Sequence, residues 1–195
     1  MRNTHVFSTT LLIVFLTVCM QAGAQESKFK TKGGITGYGN AFSDNTYYKI
    51  FYLAADFSSS FKPPKKNDFV GWYFEPQFNF VHTLRPFDYE FGANLGIRNY
   101  IRISPDFYLY QMLGSGPHYI SAELDRQATG FIFSDNLAIG SFMGIGKKSL
   151  FLNLQFRMRH ISNANLKLPN RGVNSYNFLV GFSCVDPAHN KRGRQ

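Results

Sequence analysis

From Leu150 to Ser162 the chain alternates. Leu150, Leu152, Leu154, Phe156 and Met158 share one parity, and Asn153, Gln155, Arg157 and Arg159 share the other. A period of two is that of a β-strand with unlike faces. The alternation recurs from Val70 to His82, where Val70, Trp72, Phe74, Phe78 and Phe80 oppose Glu75, Gln77 and Asn79. It recurs again from Phe91 to Ile103, where Phe91, Ala93, Leu95, Ile97, Ile101 and Ile103 oppose Gly92, Asn94, Gly96, Arg98 and Arg102. Turn residues separate such segments, and the pattern predicts eight strands: 33–42, 47–57, 69–82, 87–103, 107–115, 131–146, 150–162 and 173–184.

Periodicity alone does not say what each face meets. In a soluble sandwich the apolar face packs inward; in a membrane barrel it meets lipid and the polar face fills the lumen. The first residues bear on the choice. Arg2, an apolar core from Leu11 to Met20 and the small residues Ala22, Gly23 and Ala24 read as a signal peptide, residues 1–24, cut after Ala24. Val18 argues against a lipoprotein signal at Cys19, because such a signal wants a small residue there. Cleavage would remove Cys19 and leave Cys184 as a lone, small apolar filler, so that no intramolecular disulfide is expected. The chain is rich in aromatics, with 21 Phe and 11 Tyr against one Trp, and after the signal it has no apolar run long enough for a transmembrane helix. These features together predict an all-β fold, an eight-stranded antiparallel transmembrane β-barrel over residues 25–185, with a polar basic tail at 186–195.

Eight strands make a barrel narrow enough for side chains to fill. Glu75, Glu90, Arg98, Arg102, Arg157 and Arg159 are then expected inside as a plug of paired charges. With both ends periplasmic, short turns at Ser104-Pro105 and Lys147-Lys148 lie on that side, and the longer links near 116–130 and 163–172 are extracellular. The link at 58–68, with Pro63-Pro64-Lys65-Lys66, is long for a periplasmic turn. The location expected is the Gram-negative outer membrane. The net charge of +9 does not read as nucleic-acid binding, since no recognition motif is present and an exported barrel meets none. His82 at a strand end, His118 in or near an outer loop and His189 in the tail lack metal-ligand spacing, so neither a metal nor another cofactor is expected.

His160 and Ser162 continue the apolar parity of the leucines, which points them toward lipid at the outer end of their strand. Two residues apart on a strand, they stand about 7 Å apart at the backbone, within reach of an imidazole and a hydroxyl. A serine needs a base to become a nucleophile, and histidine has the pKa for it. Arg159-His160-Ile161-Ser162-Asn163-Ala164, followed by Pro169-Asn170-Arg171-Gly172-Val173-Asn174, resembles the signature of the lipid A 3-O-deacylases of the PagL family, outer-membrane esterases that remove an ester-linked acyl chain from lipopolysaccharide. The resemblance is sharpest over the last third of the chain. It implies Ser162 as nucleophile, His160 as base and Asn163 as oxyanion donor.

At the family's acidic triad position this chain has Asn174, which shares a face with Tyr176, Phe178, Val180 and Phe182. An amide orients an imidazole but brings no negative charge. A second candidate comes from register. With Lys147-Lys148 at the centre of a two-residue hairpin, Asp135 falls opposite His160 on the row of Phe131, Phe133, Leu137 and Ile139. The partners expected are lipopolysaccharide or lipid A, contacted by Lys167 and Arg171 through phosphates, the surrounding membrane lipid, and, as an option the pattern leaves open, a second copy in a homodimer. Two other readings remain: a non-catalytic structural, adhesive or degenerate barrel, and a soluble exported barrel that binds an apolar ligand.

Overall fold

A computed structural model of the chain describes residues 28–42, 47–83, 87–146 and 149–186; the signal-peptide expectation, Cys19, Lys147, Lys148, His189 and most of the basic tail lie outside these. The elements are β1 (Lys30–Ala41), β2 (Lys49–Ser60), β3 (Asp68–His82), β4 (Asp88–Ser104), β5 (Phe107–Ser115), β6 (Pro117–Ile120), β7 (Gly130–Gly144), β8 (Leu150–Ser162) and β9 (Val173–Asp186). All pairings are antiparallel, and β9 returns to β1 from Lys30↔Asp186 to Ala41↔Ser175, which closes the sheet on itself.

β5 and β6 form one strand around the barrel, since both lie between β4 and β7. At the break between them Gly116 exchanges backbone hydrogen bonds with Ser134, at 3.2 and 2.9 Å. A Cβ on Gly116 would stand 1.8 Å from the carbonyl oxygen of Ala93, so the backbones meet too closely there for any side chain. Eight strands therefore surround the lumen, as the alternation predicts. The fifth runs on past residue 115, which shortens the expected outer link to 121–129. The basic link also contracts, to residues 61–67, because β2 continues to Ser60 and Phe61 N–H donates to Val70 O.

The polar parity lies inside and is paired. Arg98 makes two hydrogen bonds to Asp56, at 3.0 and 2.9 Å, and its guanidinium stands 4.7 Å from the Tyr110 ring centroid. Arg157 donates to Glu75 at 2.7 Å, and Arg159 to Glu90 and Tyr48. His118 is not a loop residue: it sits buried in β6, with Nδ1 2.8 Å from Glu90. Arg102 has the inward parity but is exposed, because β4 has reached the rim by that point. Below the charged layer Phe29, Tyr73, Tyr100, Tyr108 and Phe142 pack together, and above it Ile50, Tyr52, Ile120, Leu124 and Ile161 do the same. The lumen is a filled core rather than a channel.

The outer surface is the reverse. Phe51, Leu53, Trp72, Phe78, Leu95, Ile97, Leu113, Ile139, Phe178 and Val180 are all exposed, a band that only hydrocarbon satisfies. Cys184 is half-buried near the end of β9; the expectation of a lone thiol turns on Cys19, which lies outside the described residues. Arg157→Met leaves Glu75 charged, buried and without its cation, and should destabilise the barrel by about 3–5 kcal/mol. Urea unfolding in lipid vesicles measures this. The double variant Arg157→Met/Glu75→Leu should recover most of the loss, and a single variant as stable as the parent would refute the plug.

Candidate functional site on the lipid-facing rim

The β7–β8 register pairs Asp135 with His160, and the β8–β9 register pairs His160 with Asn174. A row of polar side chains thus crosses the lipid face at one height. Ser115 on β5 donates to Asp135 Oδ1 at 2.5 Å, and His160 Nδ1 lies 2.7 Å from Asn174 Oδ1. An amide oxygen only accepts, so this contact places the proton on Nδ1 and leaves Nε2 as the basic nitrogen. The side chain that holds the imidazole is therefore Asn174. Asp135 has the expected register, but its carboxylate is engaged by Ser115.

Ser162 follows at the last position of β8, on the same parity as His160 and opposite Phe133. No hydrogen bond joins Ser162 to His160 among the described residues. Asn163 is buried and built into the loop that β8 enters: its N–H donates to Asn170 Oδ1 at 2.8 Å and its Nδ2 to Lys167 O at 2.6 Å. Its Oδ1 is buried without a partner. The chain then turns through two left-handed residues, Ala164 (φ 53°) and Asn165 (φ 63°), and Asn165 accepts from Asn170 at 2.9 Å. Loop 163–172 is clamped to loop 121–129 by Ala128 N–H to Pro169 O and Arg171 N–H to Arg126 O, each 2.8 Å. Among the described residues no three His, Cys, Asp or Glu side chains gather as a metal site.

Three neighbours of the site escaped the sequence reading as individual residues. Ser115 shares the outward parity of Leu109 and Leu113, and carrying the register one strand further would have found it. Asn170 and Gly172 stood in the quoted signature without a role. Gly172 has φ 68°, and a Cβ on it would lie 2.4 Å from His160 Cε1 and 2.9 Å from Nε2. Only glycine permits both the turn and the contact with the ring.

The architecture defines a small outer-membrane β-barrel that carries a polar constellation on its lipid-facing rim. Residues 90–183 match the family model described as Lipid A 3-O-deacylase (PagL), in agreement with the resemblance carried by the signature. Among solved structures, the outer membrane enzyme PagL superposes with a TM-score of 0.59 at 16% identity, covering 77% of this chain and 97% of that one. Neisserial surface protein A gives 0.53 at 10% identity, with 84% and 99% covered. OprG from Pseudomonas aeruginosa gives 0.51 at 13%, with 85% and 99% covered. At these identities the likeness establishes the fold. No curated protein sequence matches the chain.

Gly172→Ala should push the imidazole off Asn174 and strain the turn by roughly 1–3 kcal/mol. The His160 Nδ1–H proton resonance, expected far downfield in the parent, should move or vanish. An unmoved resonance would show that Gly172 does not position the ring.

Proposed function

We propose that this chain is an outer-membrane serine esterase that removes an ester-linked acyl chain from lipid A, the 3-O-acyl chain by likeness to the family. The observation that carries the reading is the 2.7 Å contact of His160 Nδ1 with Asn174, beside Ser162 on the lipid face and within the stretch that the PagL family model matches. In this mechanism Ser162 Oγ attacks the ester carbonyl carbon while His160 Nε2 takes its proton. The tetrahedral intermediate collapses, the sugar alkoxide leaves and takes that proton, and the acyl group stays on Ser162. His160 then draws a proton from water, whose attack releases the fatty acid and restores the serine. Asn163 Nδ2 exchanges the Lys167 carbonyl for the oxyanion when substrate is seated. Asp135, opposite His160, offsets the imidazolium charge across the strand pair. Arg126, Lys167 and Arg171, all exposed on the clamped loops, suit the phosphates of lipid A.

With both termini periplasmic, the row of Ser115, Asp135, His160 and Asn174 lies level with the outer leaflet. The substrate enters sideways from the membrane, so the filled lumen is no obstacle.

A second reading, a barrel with no catalytic role, is favoured by two observations. Asn174 stands in place of an acid, and among the described residues no hydrogen bond links Ser162 to His160. The two separate in cells. Mass spectrometry of lipid A should show the loss of one acyl chain on expression of the parent and an intact pattern with Ser162→Ala. Unchanged lipid A with a folded parent would leave the non-catalytic barrel.

Asn174→Glu should restore the charge behind the imidazole and raise kcat on a lipid A ester by about tenfold or more. A rate equal to the parent's would mean that Asn174 does not act through His160.

A further inference from the structure

The rim opposite the site carries a patch that esterase chemistry does not use. Lys28, Lys30, Lys62, Lys65, Lys66 and Arg102 are all exposed there. Backbone contacts draw them into one arc. Ser60 N–H donates to Phe29 O at 2.8 Å, which sets Lys28 and Lys30 beside the start of loop 61–67, and Arg102 N–H donates to Asn67 O at 2.7 Å at its other end. Nearby acids are Asp68, Asp106 and Asp186, with no ion pair to these six cations among the described residues. At the site end the exposed charges among the described residues balance, with Arg126, Lys167 and Arg171 against Glu123, Asp125 and Asp135.

The same loop is aromatic at its root. Phe61 is 52% exposed, and the outward row of Val70 and Trp72 stands next to it, with Phe61 N–H bonded to Val70 O. Exposed rings at the membrane boundary with lysines just beyond them form the pattern that seats a protein at a headgroup layer. An acidic polymer in the periplasm would call for the charge but not for the rings. Pro63 and Pro64 limit the loop's conformations, so its lysines reach the surface with less ordering to lose.

We propose that loop 61–67, with Lys28, Lys30 and Arg102, is a binding surface for anionic phospholipid headgroups of the periplasmic leaflet. The phosphate oxygens accept charge-assisted hydrogen bonds from the lysines, and Phe61 anchors the loop at the acyl boundary. This gives the long basic turn a function, and it does not depend on the esterase reading.

Trp72 is the chain's one tryptophan, a rung from Phe61, and it reports the local lipid. The full chain is folded into phosphatidylcholine vesicles containing phosphatidylglycerol, with one lipid or the other brominated in its acyl chain. Quenching of Trp72 by brominated phosphatidylglycerol should exceed that by brominated phosphatidylcholine, corresponding to roughly fivefold preferential binding, the factor that one lysine contributes near an anionic surface. The preference should fall toward unity in 0.5 M salt and in Lys62→Gln/Lys65→Gln/Lys66→Gln, whose substituted side chains touch no core. Equal quenching by the two lipids in the parent overturns the proposal. So does a preference that survives both salt and the triple variant, or binding of a soluble acidic glycopeptide without any lipid preference. Should the triple variant fail to fold, the salt series on the parent decides alone.

Discussion

A β-strand in hydrocarbon has no water to satisfy its amides, so the ladder must close, and here the β1–β9 pairing closes it. Closure fixes much else. With the strands joined in a ring, each side chain points either to lipid or into a lumen too narrow to hold bulk water. Large apolar residues go outward, and the polar ones are forced together inside, where the arginines persist only because each meets a carboxylate. Asp56, Glu75 and Glu90 each accept from an arginine. Such a plug is poor evidence for stability in itself, but it fixes the strands by specific pairs. It also leaves the outer surface as the place where a membrane lipid can be handled.

On that surface polar side chains are anomalies, and this makes the rim constellation informative. Ser115, Asp135, His160 and Asn174 sit on the parity occupied by leucines and phenylalanines. They gather on four neighbouring strands, and each has a hydrogen bond to an adjacent member of the row. In a soluble protein such a row would be an ordinary wet face. At the edge of a bilayer it requires either the headgroup layer or a substrate that reaches it.

The alternation made the strands legible because period two and the lipid-out, polar-in rule reinforce each other. It also made legible the Asp135–His160 pairing, which follows from a hairpin count in which a slip of one residue would have sent Asp135 inside. The fifth strand beyond Ser115 was obscured because Gly116 and Pro117 are residue types that commonly end a strand, whereas here Gly116 marks a close backbone approach. His118 was misread for the same reason. The partner that holds the imidazole was open between Asn174 and Asp135, since both share its face and register does not say which side chain turns toward the ring. The bonding of Asn163 was not legible, because it depends on the fold of loop 163–172.

The division between Asn174 and Asp135 has a physical logic of its own. A carboxylate at the edge of hydrocarbon is expensive unless it is partnered, and a neutral amide in direct contact with the imidazole avoids that cost while still fixing the tautomer. Asp135, held by Ser115 on the far side of β7, keeps a negative charge at the same height without touching the ring. When His160 is neutral the row carries one satisfied carboxylate. If His160 takes up a proton, the charge appears between an amide that cannot balance it and a carboxylate one strand away that can. Orientation and charge compensation, combined in one acid in a Ser-His-Asp triad, would here be shared by two residues on opposite neighbouring strands. The weaker through-space term would then set how far the site falls short of one with an acid in direct contact.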